Sequence, residues 1–243
     1  MAIWKGKGLL ATEADIDRIA DAAGIEGAVL RAFRKEEAPR GPFDAKGRVT
    51  ILFERHYFWT RTTKAQRAAA GPEIANPVGG GYGSYASQYT KLEKAVAINE
   101  RAALQSASWG SGQIMGSNYE AVGYGSAAEM VAAFADSEVT QIEAIVAFLK
   151  TNRLIPALKA KDWVRVAEGY NGKGQAQHNY SGRLAASYAG FAKLARATSS
   201  GDNAVLRQIK ALGFADVAAF QKAHGLKVDG IAGPITLATL KTA

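Results

Sequence analysis

The chain has 243 residues, 48% of them hydrophobic, enough for one large domain or a medium domain with a small module. It has no cysteine, which excludes disulfides, a thiolate nucleophile and cysteine-held metals. Its three histidines, His56, His178 and His224, lie too far apart for a metal-ligand spacing, so neither metal nor cofactor is expected. A net charge of +8 favours polyanionic surroundings: nucleic acid, an anionic membrane or an anionic cell envelope. The basic clusters Arg31-Arg34-Lys35 and Arg61-Lys64-Arg67 are interrupted, however, and read as solvated faces, and no nucleic-acid motif accompanies them. The N-terminal stretch lacks the apolar run of a signal peptide, and no run of about 18 apolar residues occurs anywhere. Synthesis in the cytoplasm, with no membrane span, is the expectation.

In chain order, Thr12 followed by Asp15 predicts a helix N-cap, and Ile16, Ile19, Ala20 and Ala23 keep helical spacing up to Gly24. A second helix starts near Ile25, carries Val29, Ala32 and Phe33 on one face, and stops at Glu36-Glu37 because Pro39, Gly41 and Pro42 forbid continuation. A hairpin-like stretch over 43–54 follows: the turn Asp44-Ala45-Lys46-Gly47, then the apolar run Val49 to Phe53, ending in Glu54. One acid therefore sits where a helix stops and another at the end of a strand-like run, with a turn folding the second toward the first. Paired carboxylates on two elements suit glycoside hydrolysis, and they equally suit a helix end and hairpin carrying solvated glutamates.

Residues 62–70 read as helical, whereas 71–89 cannot be regular: Gly79, Gly80, Gly81 and Gly83 interleave with Tyr82, Tyr85 and Tyr89, as on the lip of a sugar groove or on a plain surface loop. Helices are expected over 90–106, over 137–149, from Pro156 through Trp163 and Val166 into AEGYNGKG, and over 180–197. The small polar run ATSSGDN, 197–203, reads as a linker. Beyond it come helix-like NAVLRQIKALGF and ADVAAFQKAHGL, the turn KVDGIAGP and a short helix through Leu240. A unit this small has little core of its own.

The run FQKAHGLKVDGIAGPITLATL, 220–240, resembles the three-helix peptidoglycan-binding module, with Phe220, Gln221, Asp229 and Gly230 among the matching positions; the usual segment between its first two helices is nearly missing. Residues 1–196, through Gly47-Arg48, ILFERHYF, SWGSGQIMGSNY and EGYNGKG, resemble the phage-type N-acetylmuramidase domain of the lysozyme-like superfamily. The last two motifs are also similar to those of goose-type lysozymes and lytic transglycosylases. The resemblance implies a mainly α fold: an α+β catalytic domain with a small hairpin or sheet over 1–196, a linker over 197–203 and a binding module over 204–243. It implies a monomeric endolysin that hydrolyses the β-1,4 bond between N-acetylmuramic acid and N-acetylglucosamine. Such a protein acts on peptidoglycan after holin-dependent release or from a particle; the basic charge balance adds an anionic outer-membrane surface as a candidate partner. The alternatives are a lytic transglycosylase leaving 1,6-anhydro ends and a non-catalytic wall-binding virion protein.

Glu37 occupies the position of the superfamily's catalytic acid, with Glu36 one residue early; Glu54 lies seventeen residues after Glu37, as a second acid or a hairpin anchor. Tyr170 is expected to hydrogen-bond and orient Glu37, and Ser108, Gln113 and Asn171 to line the groove. Trp109 is expected in the core and His56 at the strand end.

Overall fold

A computed structural model describes the chain except residues 1, 173–175, 177, 229 and 231, and no side chains over 197–203. It forms two compact units, Met1–Tyr188 and Ala189–Ala243. The first is mainly α with one small antiparallel sheet.

Helix α1, Glu13–Ala23, opens on a reciprocal cap in which the Thr12 hydroxyl accepts from the Asp15 amide and the Asp15 carboxylate accepts from the Thr12 amide; it stops at left-handed Gly24. Helix α2, Gly27–Glu37, buries Ala28, Val29, Leu30, Ala32 and Phe33 and ends at Ala38, one residue before Pro39. The expected turn forms, with the Asp44 carboxylate accepting from the amides of Lys46 and Arg48, both at 2.9 Å, beneath a single Phe43–Val49 bridge. The rest of the expected hairpin does not close on itself. Strand β1, Ile51–Phe53, pairs with β2, Ala107–Trp109, which pairs with β3, Ile114–Met115.

Helices α3 (Arg55–Thr60) and α4 (Lys64–Ala70) follow β1. Helix α5, Ser87–Gln105, is broken at Asn99, where φ is −160° and ψ 94°. After β3 come α6 (Ala127–Asp136) and α7 (Glu138–Thr151). The single helix expected from Pro156 is two: α8 (Ile155–Ala160) stops at left-handed Lys161, and the Asp162 side chain caps α9 (Trp163–Asn171). The sheet, α3, α5 and α6 share one core in which Phe53, Phe58, Leu92, Trp109, Met130 and Phe134 are fully buried. Each such side chain is worth about 1.5–3 kcal/mol relative to exposure. Trp109 is a core residue, as expected, and its indole donates to the Leu104 carbonyl at 3.0 Å.

Helix α10 runs Tyr180–Ala211, so the segment expected as a linker, 197–203, is helical in its backbone. Helix α11, Val217–Ala223, and helix α12, Pro234–Leu240, complete the second unit. Phe220 packs against Phe214 and His224, with centroids 5.4 and 4.1 Å away. The Gln221 side chain donates to Thr236 Oγ1 at 3.1 Å and accepts from the Gly230 amide at 2.9 Å. Phe220 and Gln221, two of the matching positions of the expected binding module, are buried and hold this unit together. Asp229 lies outside the described residues.

No helix among the described residues is long and apolar enough to cross a membrane.

Candidate active site

A cleft of about 590 Å³ brings the two acids together; Glu37, Leu52, Glu54, Tyr57, Ser108, Gln113, Tyr170 and Asn171 are among its lining residues. Glu36 is not among them.

Glu37 sits at the last position of α2, and its carboxylate accepts from Asn171 Nδ2 at 3.2 Å. Burial pushes its pKa up, outweighing the neighbouring hydroxyl of Tyr180, the Asn171 amide and the charge of Arg183, which all pull it down. The apolar surround has a clear source: fully buried Phe33, one turn earlier, stacks 4.7 Å from the ring of Tyr170, which also meets Phe148 at 5.3 Å. Glu36 turns the other way. Ser187 Oγ donates to one of its oxygens at 2.5 Å and Arg183 Nε to the other at 3.0 Å. Burial alone would raise its pKa, but Ser187 and Arg183 prevail and lower it. Adjacent glutamates thus differ in character: one desolvated in the cleft, one held as a paired carboxylate.

Glu54 lies between β1 and α3, its amide donating to the Ser106 carbonyl at 2.8 Å. Tyr82 Oη donates to Glu54 Oε1 at 3.1 Å, and His56 Nδ1 lies 3.2 Å from Oε2. Burial raises the Glu54 pKa, and Tyr82 and His56 only partly offset it.

Tyr170 does not orient Glu37 as expected. Its hydroxyl is committed to the Gly112 carbonyl at 2.7 Å, and the amide that reaches Glu37 belongs to the next residue, Asn171. The reason is the glycine: a Cβ on Gly112 would meet the Tyr170 hydroxyl at 3.0 Å and the Ile145 side chain closer still, so only a bare backbone lets the tyrosine dock. Ser108 and Gln113 line the cleft, but their polar groups already face each other. Ser108 Oγ donates to Gln113 Oε1 at 2.8 Å, and Gln113 Nε2 donates to the Gly110 carbonyl at 2.9 Å. Gln113 holds this pose from left-handed backbone, φ 46° and ψ 42°.

A polar network around buried Glu138, outside the cleft lining, was not revealed by residue patterns. Arg34, one turn before Glu37, donates from Nε and Nη2 to Glu138 at 2.6 and 3.1 Å; Ser111 Oγ and the Ala11 amide donate to the same carboxylate, both at 3.0 Å. Gln141 accepts from the Ser111 amide at 2.7 Å. Helix α7 read as apolar packing, and nothing in its spacing distinguishes a buried Glu138 from a solvated one. Tyr82 was legible as a lip aromatic, but not as a partner of Glu54.

Comparison with known proteins adds a second line of observation. A family model described as N-acetylmuramidase matches residues 26–192, and one described as a putative peptidoglycan binding domain matches residues 215–240. Among solved structures, the crystal structure of Burkholderia AP3 phage endolysin is 36% identical, with a TM-score of 0.68 over 76% of this chain and 71% of that one. No curated protein matches the chain.

Proposed function

The chain belongs to the N-acetylmuramidase family, and from that premise we propose that it hydrolyses the β-1,4 bond between N-acetylmuramic acid and N-acetylglucosamine, with Glu37 as the general acid. The observation that carries this reading is the desolvated Glu37 carboxyl in a cleft that also holds Glu54. A carboxyl whose pKa is raised keeps its proton at a pH where a solvated glutamate has lost it. Glu37 protonates the leaving 4-oxygen of glucosamine as the C1–O bond breaks. Water then adds to C1 of muramic acid, loses a proton and leaves a reducing end. Asn171 steadies the Glu37 carboxylate that the transfer creates, and Glu54 steadies the cationic C1 or directs the water. Ser108, Gln113 and Tyr170 shape the cleft wall. Residues 215–240 hold the enzyme on the wall, and the basic surface favours an anionic envelope.

The test is Glu37→Gln on purified peptidoglycan. Turbidity loss should slow by about 10²–10⁴-fold; an unchanged rate removes Glu37 from the mechanism. One observation favours a second reading, the lytic transglycosylase: Glu54 Oε1 already accepts from Tyr82 and Oε2 is buried beside His56 without a hydrogen bond, so the second carboxylate is not open to water. There the muramic 6-hydroxyl attacks C1 in place of water. Mass spectrometry of the digest separates the two by one water per cut, and any released glycan excludes a purely structural wall-binding protein.

A further inference from the structure

We propose that Tyr82 is a positioning residue for Glu54, delivered by the glycine loop and setting both the direction and the ionisation of that carboxylate. The inference rests on the reading of Glu37 and Glu54 as the working carboxyls of the cleft.

The contact itself is one hydrogen bond, Tyr82 Oη to Glu54 Oε1 at 3.1 Å. What distinguishes it from an incidental surface contact is how both ends are held. Gln88 bridges the two segments with one amide: its Oε1 accepts from the amide of Phe53, the residue before Glu54, at 2.9 Å, and its Nε2 donates to the Tyr82 carbonyl at 2.7 Å. Lys91 is buried, and its ammonium donates to the carbonyls of Gly81 and Tyr82 at 2.7 and 2.9 Å. Placing a lysine and a glutamine out of water is costly unless their hydrogen bonds are made. Here they are made to the backbone that carries Tyr82. Arg55 Nε ties the loop again at the Val78 carbonyl, at 3.1 Å. Farther along, the Arg40 guanidinium lies over the Tyr85 ring, 4.7 Å from its centroid, and Arg40 is three residues beyond Glu37. One loop thus meets both acid-bearing segments. Gly81 and Gly83, with φ of 66° and 68°, supply the left-handed turns that bring the tyrosine round.

The groups facing Glu54 are Tyr82 from the loop and His56 on α3, with Arg55 and Tyr57 acting on Tyr82; Glu37 lies in the same cleft and Lys91 of α5 faces the loop backbone. A hydroxyl donating to a carboxylate favours its ionised form. Removing it therefore moves the Glu54 titration upward.

The experiment measures kcat, KM and the pH profile of kcat/KM on soluble, uncross-linked glycan strands for wild type, Tyr82→Phe, Glu54→Gln and the double variant. Tyr82→Phe should lower kcat about 10-fold while KM changes less than about 2-fold, and should shift the acid limb of the profile to higher pH. In the Glu54→Gln background the same change should cost nothing further. An unmoved acid limb, an undiminished loss in the Glu54→Gln background, or a Glu54→Gln variant at wild-type rate overturns the proposal. Failure of the underlying reading shows elsewhere, as a Glu37→Gln variant that still cleaves.

Discussion

Replacing Glu138 by alanine should destabilise the first unit far more than any surface glutamate would. The carboxylate is wholly out of water and receives four hydrogen bonds, two from Arg34 and one each from Ser111 and the Ala11 amide. Removing it leaves the Arg34 guanidinium with only the looser Glu13 contact at 3.9 Å and strands two donors. Breaking a buried pair by deleting one partner costs about 3–5 kcal/mol. The Arg34 side chain is 31% exposed and recovers some hydration, which favours the lower end; the orphaned Ser111 hydroxyl and Ala11 amide push back up. About 4 kcal/mol is the balance, equivalent to about 8–16 °C in Tm for a unit of this size. Glu138→Gln keeps the shape and loses the charge, and should cost about half as much. Thermal unfolding at pH 7, followed by circular dichroism, measures both. A loss below about 1 kcal/mol for Glu138→Ala would refute the reasoning, because it would mean that water replaces the network at no expense.

Glu37→Gln should raise Tm at neutral pH. A carboxyl with a raised folded-state pKa is favourable below its unfolded value and loses that contribution as pH rises through the folded one, so the variant's advantage should vanish near pH 4; equal Tm values at pH 7 would contradict the burial of that carboxyl. Asn171→Ala removes a donor that lowers the Glu37 pKa, so the alkaline limb of kcat/KM should move to higher pH as the rate falls, and a limb moving down would reverse the assignment. Gln221→Ala should cost the second unit about 1–3 kcal/mol by leaving the Gly230 amide and Thr236 without their partner. Hydrogen exchange over residues 212–243 should then quicken, and an unchanged rate there would reject the assignment.

What was legible in the residues was local. Thr12 with Asp15, the prolines after Glu37 and the Asp44 turn are short-range chemistry, and each does what its spacing predicts. The cap before α6 was equally present, Ser126 accepting from the Glu129 amide, but it lies in an alanine-rich run that draws little notice. The partner of β1 was not legible, because it is more than fifty residues away and strand pairing leaves no trace in a three-residue segment. The break between α8 and α9 needs Lys161 in a left-handed conformation, which apolar spacing does not encode. The acids of the cleft were found because each closes a recognisable element; Tyr82 and Glu138 were not, because their partners are joined only by folding. The small, polar stretch 197–203 has the composition of a tether, yet its backbone continues α10.

The twisted main chain at Gln113 sets two contributions to stability against each other. A non-glycine residue there stands about 1–3 kcal/mol uphill, which glycine would relieve at once. Replacing it by glycine would relax the backbone but discard the amide braced against Ser108. Glycine would also lose the hydrogen bonds to Ser108 and the Gly110 carbonyl, so the gain in durability from relaxing the backbone is largely offset at this position.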